Sequence, residues 1–435
     1  MRMRIAWIVC ATAGIVTGAY GRERPKGPDQ FAIENARIVL GTGEVVEAGT
    51  IVIDNGLIQD VGSSVTIPAA AWVIDGSGMV VYPGLIDALS DIALAKPSGD
   101  GPAPEYSTGP EDRPGTEPWR SAADELDTSD ARIGSWRDAG FTSAVTSPTE
   151  GIVSGQAAMV NLAGDSDNAM VVADRAALRV NLSPLNGRRG YPGSMMGVMA
   201  YVKQLFFDAS HYRESWAAYR LSPKGRPRPS YDRALRPLAD VQSERSPVLL
   251  PAHLEHEVKR AVKLARELEI RPVLYGLHQG HAAADFLAAE NVPVLVSVKW
   301  PERSKDADPD ADEPLSVLRL RDRAPGTPAA LEAAGVEFAF YSDGHTKPED
   351  ILKAVRTAID QGLSPERALR AWTLAPAIIF GLDDRMGSIT PGKIANLVVA
   401  SGELFDSETR VEMVFVDGQK YEPAPPSGDE RRSAP

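Results

Sequence analysis

Five of the six histidines in this 435-residue chain, His253, His256, His278, His281 and His345, stand at or just after strand-like apolar runs; only His211 lies in a helical stretch. Imidazole both ligates metals and carries protons near neutral pH, so histidines gathered at strand ends point to a reaction centre. They form two similar pairs, His253-x-x-His256 and His278-x-x-His281. Each pair straddles a strand end and the first turn of a helix, where rings three positions apart can share a face. Asp343, just past the run Val336 to Tyr341, is the carboxylate placed to join them, as a ligand or as the base that takes a proton from water. Two structural readings stand beside these. Asp343 can cap the helix that follows, and His253 and His278 can be packing residues while His256 and His281 face solvent.

Other chemistries have weaker support. Cys10 is the only cysteine, so a chain that loses its first residues has no thiol nucleophile, no disulfide and no thiolate metal site. The segment HLEHE lacks HExxH spacing, and no GxSxG nucleophile turn occurs. The acidic run PERSKDADPDADEP lacks the glycine and closing glutamate of a calcium loop and reads as solvated. GTG and GSG sit in tight turns without the context of a dinucleotide fingerprint. Arg188 and Arg189, in LNGRRGYPGS, follow a strand candidate and could grip a carboxylate or phosphate; a plain surface role competes with that.

The elements that must position these residues alternate. Strand candidates run over Gly84 to Asp91, Ser143 to Thr146, Ala177 to Asn181, Val248 to His253, Pro272 to Gly276, Val292 to Val298 and Val336 to Tyr341. Between them, apolar residues recur every three to four positions in His256 to Leu268, Ala282 to Ala289, Glu349 to Gln361 and Pro365 to Trp372, which predicts amphipathic helices. Alternating strands and helices over this length predict a (β/α)8 TIM-like barrel, with function where strands end. Both chain ends are instead rich in short strands with turns such as Asp54-Asn55-Gly56, which predicts a small β-sandwich domain built from the two ends. Ser98 to Asp127, rich in Gly, Pro and acids, reads as an insertion over the mouth.

Four segments in order, ARIVLGTGEVVEAGTIVIDNGLIQDVG, VIDGSGMVVYPGLID, YSDG and GSITPGKIANLVV followed by VFVDGQ, resemble the amidohydrolase superfamily, especially its imidazolonepropionase-like branch. The resemblance spans roughly residues 31 to 421, with Asn396 a small departure in the last motif. It implies a metal centre with an HxH pair on the first strand, often a lysine carbamate or glutamate on the fourth, histidines ending the fifth and sixth, and an aspartate on the eighth. His253, His278 and Asp343 match the last three positions. The first strand does not, because PGLIDALSD places Leu89 and Asp91 where PGLIDxHxH has histidines. Leu89 cannot coordinate, whereas Asp91 could. The fourth-strand candidate AALRVNLSP contains no lysine.

Composition bounds the setting. The chain is 43% hydrophobic with a net charge of −13, which suits a globular protein and disfavours nucleic acid or an anionic membrane surface as partner. Arg2 and Arg4, an apolar run from Ile5 to Val16 and small residues at Ala19 and Gly21 read as an export signal; the run is short for a membrane span. The expected organisation is a signal peptide (1–21), a linker (22–30), the first part of the sandwich (31–83), the barrel (84–383), the second part of the sandwich (384–421) and a tail (422–435), in a periplasmic or extracellular protein. The expected function is hydrolysis of a carbon–nitrogen bond in a small cyclic amide, imide or peptide-like substrate. A degenerate site would hold at most one divalent metal, zinc before iron or manganese, through Asp91, His253, His278 and Asp343. The alternative is a pseudoenzyme that binds a small molecule and holds no metal. A homo-oligomer is compatible with either.

Overall fold

The computed structural model describes residues 30–94, 108–109, 113–164, 166–185, 192–304, 306–308 and 310–423. The expected signal peptide, nearly all of the linker, most of the tail, and Arg188 and Arg189 lie outside the described residues.

The chain opens with β1 (Gln30–Val39), β2 (Val45–Asp54), β3 (Leu57–Gly62), β4 (Trp72–Asp75) and β5 (Val80–Pro83). Asn55 and Gly56 join β2 to β3 with φ of 49° and 82°, the left-handed pair that a two-residue hairpin turn demands. One residue past β5, Gly84, the chain enters a second sheet. There is no room for a side chain here: a Cβ on Gly84 would lie 2.1 Å from the Thr142 hydroxyl.

That second sheet has eight strands. They are β6 (Leu85–Ser90), then, beyond a two-rung pair formed by β7 (Thr108–Gly109) and β8 (Arg113–Pro114), β9 (Phe141–Thr146), β10 (Val153–Asn161), β11 (Val171–Val180), β12 (Pro247–Ala252), β13 (Arg271–Gly276), β14 (Val294–Ser297) and β15 (Phe338–Tyr341). The strands pair in the order β15-β14-β13-β12-β11-β10-β9-β6. The two edges meet where the Ser342 amide, just past β15, donates to the Asp87 carboxylate of β6 at 3.0 Å. The result is a nearly closed TIM-like barrel. After it, β16 (Leu397–Ala400), β17 (Val411–Val416) and β18 (Gln419–Tyr421) return to the first sheet, where β16 pairs antiparallel with β5. Buried Asn396 ties the sheets together, donating to Ser143 and Asn161 of the barrel and accepting from the Asp417 amide.

One strand departs from the expected alternation. β10 runs antiparallel to both neighbours. Helix α1 (Ala131–Asp138) crosses over from β6 to β9, but only a short loop separates β9 from β10, and the four-residue α2 (Asp167–Met170) precedes β11. Such links can join antiparallel strands, whereas parallel strands need a longer crossover. The regular pattern resumes with α3 (Met195–Leu221) and α4 (Leu235–Glu244) before β12, and α5 (Glu255–Glu267) before β13. Among the described residues no helix is long and apolar enough to cross a membrane.

Strand alternation sorts the barrel residues. Ile86, Leu89, Val145, Ala157, Ala177, Leu249, Val273, Tyr275, Leu295, Ala339 and Tyr341 form one apolar cluster, the barrel interior. Their neighbours Leu178, Val180, Val248, Leu250, Leu274, Val294, Val296, Phe338 and Phe340 pack outward with the helices. With period two, Arg179 and Asn181 continue the inward row of Ala177, and Ser297 that of Leu295. The described part of the insertion runs beside the start of β10, where Glu117 N–H donates to Val153 (2.8 Å) and Gln156 N–H to Arg120 (2.7 Å). Because β10 is reversed, its start lies at the mouth.

Candidate active site at the barrel mouth

His253 follows β12 and His278 follows β13, so neighbouring parallel strands present neighbouring imidazoles. Their ring centroids are 5.4 Å apart with a 40° tilt. A glycine makes this approach possible. Gly276 has φ of 110°, and a Cβ there would lie 2.6 Å from His253 Nδ1. The chain then reaches His278 through Leu277, also left-handed at φ 59°. Burial, and next the neighbouring His253, lower the pKa of His278. Its Nε2 is buried and makes no hydrogen bond.

Asp343 completes this side. It follows β15 with φ of 49°, a conformation that aspartate tolerates better than most residues. Ser297 Oγ of β14 donates to its Oδ2 at 2.7 Å, and the same Oγ accepts from Lys299 N–H at 3.1 Å. Asp343 is therefore held from below, and its charge raises the Tyr341 pKa, second to burial.

The turn that carries Asp343 is itself tied to the first strand. Asp87 is fully buried and accepts from the amides of Ser342 (3.0 Å) and Leu89 (3.4 Å), while its Oδ2 has no partner. Burial pushes its pKa up to about 6, against the lowering effect of those hydrogen bonds. Sequence reading passed over Asp87 in favour of the residues two and four positions on.

The remaining first-strand residues do not enter the site. Leu89 is 3% exposed in the interior cluster. Asp91, expected as a ligand, is bound by Arg132 of α1 through both its carboxylate and its backbone carbonyl, and Arg132 is bound in turn by Asp130. A carboxylate neutralised by a guanidinium is not offered to an ion.

The wider histidine cluster is not assembled either. His256 is exposed on α5. His281 turns to the Thr327 hydroxyl at 3.2 Å, and burial lowers its pKa. His345 Nε2 is buried without a partner. His211 lies on α3, 3.5 Å from the Ser215 hydroxyl.

In place of further ligands the mouth has an aromatic and cationic wall. Tyr275 and Tyr341 meet edge to face, with centroids 6.3 Å apart at 90°. Tyr275 donates to Asn181 Oδ1 at 3.0 Å, and the Asn181 amide is fixed by donation to the Thr149 and Gly151 carbonyls and Ser154. The Arg179 guanidinium carbon lies 5.4 Å from the Tyr275 ring centroid. These inward residues escaped sequence reading, although placing Ala177 inward on β11 would have located Arg179 and Asn181.

This donor set does not fit a resident metal. Two imidazoles face one another, Asp343 is directed to Ser297, Asp91 is held by Arg132, and a fixed cation, Arg179, stands in the same mouth. Among the described residues no three His, Cys, Asp or Glu side chains are grouped to hold an ion. The expected set of Asp91, His253, His278 and Asp343 is thus not assembled. Two hollows of about 590 and 560 Å3 lie elsewhere, one beside Tyr82 and Glu403 and one beside Trp216, and neither is lined by a mouth residue.

Sequence and fold both have counterparts among known proteins. The amidohydrolase family model matches residues 220–420. The chain is 42% identical over 78 residues to adenine deaminase 3 of Rhizobium meliloti, an alignment covering 18% of this chain and 12% of that protein. It is 27% identical over 244 residues to the imidazolonepropionase of Flavobacterium johnsoniae, covering 50% of this chain and 57% of the other. The chain therefore spans well under two thirds of the length of these relatives. Over its whole fold it superposes on an amidohydrolase from Thermotoga maritima with a TM-score of 0.75 and 26% identity, covering 90% of this chain and all of that one. In fold, and in sequence over residues 220–420, the chain is thus similar to the amidohydrolases.

Proposed function

We propose that the barrel mouth binds a small organic molecule and hydrolyses a carbon–nitrogen bond in it, with Asp343 moving the proton. The observation that carries this reading is the position of Asp343, held by Ser297 at 2.7 Å beside the His253 and His278 pair. Such a carboxylate can take a proton from water as the water oxygen bonds to the substrate carbonyl carbon. When the carbon–nitrogen bond breaks, the same proton passes to the departing nitrogen, leaving an acid and an amine. His278, its Nε2 unpartnered, is placed to bind the substrate's polar edge. A cyclic amide, imide or peptide-like compound suits the mouth, by analogy with the imidazolonepropionase relative. Export to the periplasm or outside the cell, through residues 1–21, belongs to this proposal, as does a small-molecule partner rather than a nucleic acid.

A panel of cyclic and acyclic amides, assayed with wild type and Asp343→Asn, tests the reading. Turnover lost only in the variant is expected; equal rates would remove Asp343 from the reaction. A second reading, binding without hydrolysis, is favoured by Leu89 and by the pairing of Asp91 with Arg132. It predicts saturable ligand binding with no product from any member of the panel.

A further inference from the structure

We infer that Arg179 is an anion-binding residue of the mouth and that the ligand carries a carboxylate, or a comparable small anionic group, that docks on it. The inference rests on the reading of the mouth as the ligand site, but not on hydrolysis.

Arg179 stands on the inward row of β11, above Ala177 and below Asn181, in a barrel whose interior is lined mainly by apolar side chains. Arg179 is half-buried, and taking part of a guanidinium out of water is costly unless a partner accepts its hydrogen bonds. Among the described residues no carboxylate is paired with Arg179, and its Nε is buried with no hydrogen-bond partner. Its neighbour is Tyr275, whose ring centroid lies 5.4 Å away and whose side chain it hydrogen-bonds, but one phenol oxygen cannot satisfy five N–H donors. Two other half-buried arginines, both on helices, have partners. Arg132 has two carboxylates, and Arg367 has the Val336 carbonyl and Glu337.

The surroundings are fixed rather than adaptable. Tyr275 is locked by Asn181, which has three further hydrogen bonds of its own. Arg179 and Asp343 act on the same aromatic pair with opposite sign, Arg179 lowering and Asp343 raising the pKa of both Tyr275 and Tyr341. Yet no ion pair joins them. The mouth thus has a cationic side and a carboxylate side separated by two tyrosines. A small molecule with an anionic group on Arg179 and an amide toward Asp343, such as an N-acyl amino acid or its cyclic counterpart, has the charge pattern that fits. A planar guanidinium favours a carboxylate, which it can bind through two parallel hydrogen bonds.

The test titrates the full chain with acetate and N-acetylglycine, each beside its neutral counterpart, acetamide and N-acetylglycinamide, at constant ionic strength. Binding is read from thermal stabilisation and from tyrosine fluorescence. Saturable binding of the carboxylates alone is expected, weakened about tenfold or more in Arg179→Met and less in Arg179→Lys. Asp343→Asn should bind them at least as tightly as wild type. No saturable carboxylate effect in wild type, or equal affinity in the folded Arg179 variants, overturns the inference. Should Arg179→Met fail to fold, Arg179→Lys decides. Carboxylate binding that depends on Arg179 in a protein that hydrolyses no amide would leave this inference standing and remove hydrolysis. Hydrolysis of N-acetylglycine with unchanged rate and KM in both Arg179→Met and Arg179→Lys would do the reverse.

Discussion

The two sides of the barrel mouth have different contents. On the side of β12, β13 and β15, strand ends present His253, His278 and Asp343, with glycine and left-handed backbone spent to place them. On the side of β6 and β11, the corresponding places hold Leu89, an Asp91 neutralised by Arg132, and Arg179. The family match over residues 220–420 takes in the first side and lies beyond the second. The fold nevertheless persists across both, since the structural match covers 90% of the chain. A barrel strand needs only inward residues that pack, and Leu89 meets that need as well as a histidine would. Packing alone is therefore enough to hold β6 in the barrel.

This contrast is open to experiment at several points. The largest effect belongs to the first side: Asp343→Asn should lower any amide hydrolysis by about a hundredfold or more with the fold intact, as measured by initial rates and circular dichroism. Asp91→Ala, on the second side, should leave the rate unchanged and alter stability by no more than about 1 kcal/mol, because its ion pair is partly exposed. A rate collapse in Asp91→Ala would erase the distinction between the sides.

Asp87 should set a pH dependence of stability. Its carboxyl is protonated more readily in the folded chain, at a pKa of about 6 against 3.8, so the folded state binds the extra proton between those values. The contribution of Asp87 to stability is then greatest below pH about 4 and falls by about 3 kcal/mol as pH rises to about 6. Urea denaturation at a series of pH values should show this decline, and Asp87→Asn should flatten it. Gly276→Ala should cost about 1–3 kcal/mol, through its φ of 110° and the collision with His253, and should also shift the His253 ring resonances. An unchanged melting curve and an unmoved His253 would show that the glycine does not set the imidazole pair.

Much of the barrel was legible in the sequence, because β12, β13 and β15 are apolar runs bounded by clear turns and α5 and the helices Pro348–Asp360 and Pro365–Trp372 keep a helical period. β10 was not legible. Its sequence VSGQAAMVN is buried along its whole length, so it shows no alternation between polar and apolar faces. His253, His278 and Asp343 could be picked out by residue type and position at strand ends. The fate of Asp91 could not, because its partner Arg132 is 41 residues away and meets it only through the docking of α1. Arg179 was hidden for a related reason: a single arginine in a strand is a surface residue or an interior one according to the register, which only the neighbouring strands fix.

With Leu89 apolar and Asp91 held by Arg132, the mouth as proposed above has no resident metal site. Metal analysis of the full chain, purified without chelator or metal-affinity steps and then supplied with zinc, iron or manganese, tests it directly beside Leu89→His/Asp91→His and His253→Ala/His278→Ala double variants. Far less than one equivalent is expected in the native chain, with metal gained only when the two first-strand histidines are introduced. Near-stoichiometric metal in the native chain that disappears in His253→Ala/His278→Ala would contradict it.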